Sequence, residues 1–184
     1  MRRNCLYLTY LASAAALLLM SGLVHGQNAE PVVEAKMLLA TDGVYAGSMV
    51  NAAVEAEVAS GYHINDHHPS LDYLIPTELK LDPSKQLTVE KVVYPKGQPV
   101  KFAFSDDPLS VYEGSLLVGA RLKVSPGTPP GTYALKGKLA YQACNDHACL
   151  PPASVPLALA IRVVERGVAL KRVNANVFSR LNLN

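Results

Sequence analysis

Tryptophan is absent from this sequence, cysteine occurs only three times, and aromatic residues make up 7% of the chain. So few cysteines exclude the disulfide-dense scaffold on which very small secreted domains depend. Charged residues are also sparse, at 17%. Beyond the first residues no apolar run approaches the ~20 residues that a membrane helix needs. After Gln27 no window of a dozen residues shows 3.6-residue periodicity with caps, apart from a weak pattern between Gly167 and Leu181. The glycines stand singly at turns, and there is neither a phosphate-cradling loop, nor a nucleotide fingerprint, nor a Ser/His/Asp nucleophile arrangement. Hydrolase and kinase chemistry therefore have nothing to rest on, and no cofactor is expected.

What is present begins with a leader. Arg2 and Arg3 precede an apolar run from Leu11 to Met20, and Val24 and Gly26 place small residues three and one before a cut ahead of Gln27. This is the layout of a secretory signal peptide over residues 1–26, and Cys5 goes with it. Without Arg2 and Arg3 the remainder carries 15 basic against 15 acidic residues. That balance excludes a nucleic acid or an anionic membrane surface reached by charge, and leaves proteins or small molecules as partners. The expected organisation is a single domain over 27–165 followed by a tail over 166–184, with Lys171, Arg172 and Arg180 marking a solvated terminus.

Strict alternation of Val50, Ala52, Val54, Ala56 and Val58 against Asn51, Glu55 and Glu57 has the period of a half-buried strand. Further strands are expected over 31–39, 78–81, 87–94, 100–104, 115–124, 132–141 and 155–164, each bounded by Gly, Pro, Asp or Ser. The fold class is all-β, with the strand number and spacing of an immunoglobulin-like sandwich.

With the leader removed, the cysteines reduce to one pair in Cys144-Asn-Asp-His-Ala-Cys149. The two strands expected around it bring the ends of this loop together, and four intervening residues allow a disulfide. The closed loop is small, so the bond adds little stability. Exchange chemistry needs an attackable sulfur and a second cysteine to resolve the mixed disulfide, and a short polar loop offers both. His147, when protonated, would lower a neighbouring thiol's pKa, whereas Asp146 would raise it. Spacing alone is equally compatible with a structural clip. His63, His67, His68 and His147 match no standard zinc spacing, and no metal site is expected; on a strand His67 and His68 would face opposite ways.

The segment Tyr141-Gln-Ala-Cys-Asn-Asp-His-Ala-Cys-Leu-Pro-Pro152 resembles the cysteine segment of the amino-terminal periplasmic domain of the thiol:disulfide interchange protein DsbD. Gly61-Tyr-His-Ile-Asn-Asp-His-His-Pro69, Leu74-Ile-Pro-Thr-Glu-Leu-Lys-Leu81, Tyr94-Pro95 and Val111-Tyr-Glu-Gly114 agree in order and spacing. The resemblance implies an immunoglobulin-like periplasmic domain that takes electrons from a membrane-embedded thiol reductase and passes them to periplasmic thioredoxin-like proteins, as a protein-disulfide reductase component. It makes Cys144 and Cys149 the exchanging pair, with Cys149 bonded to the partner and Cys144 resolving. It also implies an aromatic cap over the cysteines, for which Phe104 or Phe102 is the candidate, and places Tyr62 beside the cysteine loop. Both phenylalanines and Tyr62 also read as ordinary core residues. The sequence carries neither the polytopic membrane region nor the thioredoxin-like domain of the full-length family member, so the donor is expected to be a separate protein. The competing expectation is a non-enzymatic binding or assembly module whose disulfide only fixes a loop.

Overall fold

The computed structural model describes residues 31–103 and 105–183. The leader over 1–26, with Cys5, and the cap candidate Phe104 lie outside the described residues. The alternating segments form one antiparallel sheet from β1 (Val33–Leu39), β3 (Met49–Val58), β6 (Leu87–Val93) and β9 (Ser115–Val124), in the order β1-β3-β9-β6. A second sheet holds β2 (Val44–Tyr45), β5 (Glu78–Leu81), β10 (Gly131–Tyr141) and β12 (Ala153–Val164), in the order β2-β12-β10-β5. The short β2 runs parallel to β12, and the other pairings are antiparallel.

One face of each long strand is apolar, and those faces meet. Val54, Val118 and Leu122 of the first sheet share a core with Leu135, Leu139 and Ile161 of the second. Complete burial of a side chain such as Leu139 or Ile161 contributes about 1.5–3 kcal/mol. The architecture is the expected all-β immunoglobulin-like sandwich.

A third, smaller sheet departs from the strands read in the sequence. It comprises β4 (His63–Asn65), β7 (Gln98–Val100), β8 (Leu109–Tyr112) and β11 (Ala143–Cys144), in the order β11-β4-β8-β7. Ile64, Tyr112 and Ala143 point from it into the sandwich core. Side chains alternate across a strand, so His63, Val111 and Cys144 lie on its other face. The strand expected over 100–104 is displaced: pairing with β8 stops at Val100, and the chain leaves the sheet, with Phe102 buried against Leu109 and Val111.

The tail also departs from expectation. It folds back on the first sheet as a one-turn helix, α1 (Ala175–Phe178), which buries Val177 against Ala53 and Leu117. Val173 N donates to Ala40 O at 2.9 Å and Asn174 Nδ2 donates to Leu39 O at 2.9 Å. Leu183 is buried over Gly119, where a Cβ would meet the leucine methyls at 2.9 Å. The physical reason is that Leu38, Ala53 and Leu117 are apolar on the outward face of the sheet and require a cover.

Candidate redox site

The long ladder between β10 and β12 runs from Gly131↔Val163 to Tyr141↔Ala153 and delivers the cysteine loop to the end of the sandwich. There the chain makes a tight hairpin. Leu150 N donates to Ala143 O at 2.8 Å and Asn145 N donates to Ala148 O at 3.0 Å. Cys144 and Cys149 face each other between these two bonds, at a bridge position whose own backbone groups are not paired across the hairpin. Such positions bring Cα atoms closest in an antiparallel pair. The two Cα atoms are 3.9 Å apart and the sulfurs are bonded. Asn145 Oδ1 accepts from His147 N and Ala148 N, both at 2.9 Å, closing the tip as an Asx turn. The hairpin is therefore held by hydrogen bonds on both sides of the disulfide as well as by the disulfide itself.

The two cysteines differ in access. Cys144 retains 2% of its surface, because β11 is laid against β4, whereas Cys149 is exposed. Leu150, Pro151 and Pro152 carry the chain from Cys149 into β12, and the prolines donate no backbone hydrogen bond.

Across the ladder Cys144 is paired with His63. His63 keeps only 3% of its surface, and its ring stacks on Phe102 with centroids 4.2 Å apart. Phe102 belongs to a small apolar cluster with Leu109 and Val111, backed by Leu71 and Leu74 from the loop after β4. Phe102 thus covers the strand neighbour of Cys144. Tyr62 does two things: it packs against the sandwich core and lines a groove of about 500 Å³ beside the cysteine hairpin. Glu57, His63, Glu113 and Asp146 line the same groove. Burial pushes the His63 pKa below its ordinary value, and the carboxylates of Glu113 and Asp146 pull it partly back. Asp146 therefore acts on the histidine next to Cys144. His147, by contrast, is exposed at the hairpin tip.

Asp66, which the polar Asn-Asp-His-His run conceals, braces this end of the molecule. Its buried carboxylate accepts from Tyr112 Oη at 2.5 Å, Ser110 Oγ at 2.7 Å, Gly97 N at 3.2 Å and His68 N at 3.3 Å. Burial opposes its charge, but these four donors outweigh burial and hold its pKa below the usual carboxylate value. They tie the exit of β4 to β8 and to the turn before β7. His67 and His68 lie past the end of β4 rather than on a strand, so their rings touch edge to face, with centroids 4.6 Å apart. His67 also stacks on Tyr94 at 3.7 Å, and its Nδ1 lies 3.0 Å from Thr77 O. Among the described residues no group of three His, Cys, Asp or Glu side chains is arranged to hold a metal ion.

Residues 34–159 match the family described as thiol:disulfide interchange protein DsbD, N-terminal. The chain belongs to this family. It is a thiol–disulfide exchange module of the DsbD amino-terminal type, and Cys144 and Cys149 lie within the matched span. Similar solved structures include the reduced DsbD amino-terminal domain of Neisseria meningitidis, at 18% identity over 73% of this chain and 89% of that one, with a TM-score of 0.40. The amino-terminal periplasmic domain of ScsB from Proteus mirabilis is 16% identical over 69% of this chain and 45% of that one, with a TM-score of 0.49. The Neisseria DsbD domain in complex with the PilB amino-terminal domain is 19% identical over 66% and 80% of the two chains, with a TM-score of 0.39. No curated protein sequence gives a significant match. Among the described residues no helix is long and apolar enough to cross a membrane.

Proposed function

We propose that Cys149 is the sulfur exchanged with partner proteins and that Cys144 resolves the resulting mixed disulfide. The observation that carries this reading is the unequal access of a bonded pair: Cys149 is exposed and Cys144 is buried. An incoming thiolate must reach one sulfur of a disulfide in line with the bond, and only Cys149 is offered. A hairpin already closed by Asn145 and its backbone bonds has little need of a covalent clip, which weighs against the binding-module alternative.

In the cell, the domain over 27–165 works in the periplasm after loss of the leader over 1–26. It receives electrons from a membrane-embedded thiol reductase and passes them to thioredoxin-like proteins. Phe104 or Phe102 shields the pair between encounters, Tyr62 shapes the adjoining groove, and Asp146 and His147 tune the hairpin's electrostatics. The complex of the Neisseria DsbD domain with the PilB amino-terminal domain supports a protein partner of this kind.

The reduction potential tests the chemistry. A value between roughly −120 and −270 mV, the range of exchange proteins, is expected, whereas one below about −300 mV would mark a structural bond. Trapping tests the roles. Cys144→Ala, which leaves Cys149 without its resolving partner, is expected to accumulate mixed disulfides with envelope proteins, and Cys149→Ala far fewer. Greater capture by Cys149→Ala would reverse the assignment, equal capture would refute distinct roles, and capture by neither would favour the binding module.

A further inference from the structure

The strand register sets two side chains side by side on one face of the small sheet, and a carboxylate lies near them. Cys144 is paired with His63 across β11 and β4. Between β4 and β8 the pairs are Ile64↔Tyr112 and Asn65↔Val111, and Glu113, the residue after β8, lines the same groove as His63. Directly opposed side chains in an antiparallel pair have Cβ atoms about 4.5–5.5 Å apart. Cys144 and His63 are therefore direct cross-strand neighbours, and the Glu113 carboxylate lies close enough to act on the imidazole. Phe102 covers one flank of the imidazole, and the other borders the groove lined by Glu57, Glu113 and Asp146. The side chain of His63 is almost wholly buried.

We propose that His63 is the proton acceptor for Cys144 in the resolving step, with Glu113 and Asp146 stabilising the imidazolium that forms. In the mixed disulfide, Cys149 Sγ is bonded to the partner's sulfur and Cys144 carries a thiol. His63 takes the thiol proton, and the Cys144 thiolate attacks Cys149 Sγ. The Cys144–Cys149 bond forms, the bond from Cys149 to the partner breaks, and the partner's sulfur leaves with the electron pair as a thiolate. That thiolate then takes up a proton. Two electrons have passed from this chain's dithiol to the partner's disulfide. The surroundings of His63 suit a proton acceptor, since burial keeps the imidazole neutral and Glu113 and Asp146 favour it once charged. Besides these two carboxylates, Glu57 and Tyr62 face the groove, and Cys144 faces the ring from β11. A buried thiol without such an acceptor would have to give its proton to solvent that scarcely reaches it.

The inference rests on the exchange roles proposed above, and the reaction of the reduced protein with a stoichiometric amount of dithiobis(nitrobenzoate) separates the two. Cys149 attacks first and releases one coloured thionitrobenzoate, in a phase whose rate follows reagent concentration. Cys144 then expels the second in an intramolecular phase. In the unaltered protein the second phase is expected to level off above the titration of His63. In H63Q and H63Y it should slow about a hundredfold relative to the first phase near neutral pH, the low side of what a positioned base supplies. It should also keep rising with pH as the thiol ionises unaided. H63Y retains an aromatic ring against Phe102, so it guards against a folding defect in H63Q.

The exposed Glu113 gives an independent reading. Removing its charge in E113Q takes away support for the imidazolium, so the acid limb of the second phase should move to lower pH. A second phase unchanged in both His63 variants, or an acid limb unmoved in E113Q, overturns the inference while leaving the exchange reading intact. A folded, reduced protein with no first phase overturns both.

Discussion

At the scale of single residues, two buried titratable groups set limits on stability at low pH. The His63 pKa is lowered by burial, so the folded state binds its proton less readily than the unfolded chain. Stability attached to this group is complete above the unfolded value of about 6.5 and falls as pH drops toward the depressed folded value. Urea midpoints compared between pH 7.5 and pH 5 should show that loss in the native protein and a smaller one in H63Y. Asp66 behaves in the reverse sense of charge but loses stability in the same direction of pH. Its carboxylate is needed ionised, so its contribution is present above about pH 4 and disappears as acid titrates it through its lowered folded value. Asp66→Asn replaces an acceptor of four hydrogen bonds by an amide that must turn two donors of its own toward them. A loss of about 2–3 kcal/mol is expected by chemical denaturation.

At the scale of elements, α1 and the residues after it behave as a strap over the first sheet. Ending the chain before Asn174 would uncover Ala53 and Leu117 and discard the burial of Val177 and Leu183. Thermal and urea unfolding should report a loss of about 3–6 kcal/mol from two buried side chains. Legibility in the sequence follows element length. The ten residues of β3 and β9 repeat their alternation often enough to be read directly, as do β10 and β12. His63–Asn65 and Ala143–Cys144 are too short to show a period, and all three residues of β4 are buried, so no polar face marks it. The sheet that carries the redox pair is hidden for this reason. So is the juxtaposition of His63 with Cys144, two residues far apart in sequence and joined only by register. The cysteine pair itself is legible because composition isolates it, whereas the burial of one sulfur and exposure of the other depends on β11 docking against β4. The tail reads as a solvated terminus because its few apolar residues look dispensable until the outward Leu38, Ala53 and Leu117 are known to need them.

At the scale of the whole molecule, most of the core is built by the two large sheets, and the chemistry sits on the third. The sandwich core joins Leu122 and Val118 to Leu139 and Ile161 without involving either sulfur, and the hairpin keeps its own backbone bonds. Replacing both cysteines by serine should therefore leave the fold intact at a loss of about 2 kcal/mol or less, consistent with a very short closed loop. Thiol–disulfide exchange with any partner should vanish. Calorimetry of the double variant beside an insulin-reduction assay would check both halves of that expectation.

The burial of Cys144 behind Cys149 has a kinetic corollary for any network in which this chain takes part. Each partner's arrival is a collision governed by abundance, but its departure is timed by an internal event between two neighbouring sulfurs. Raising the level of a client would increase how often complexes form and leave their individual lifetimes the same. The dwell time is set by the attack of Cys144 and by how readily the client's own sulfur departs, and not by how much client is present.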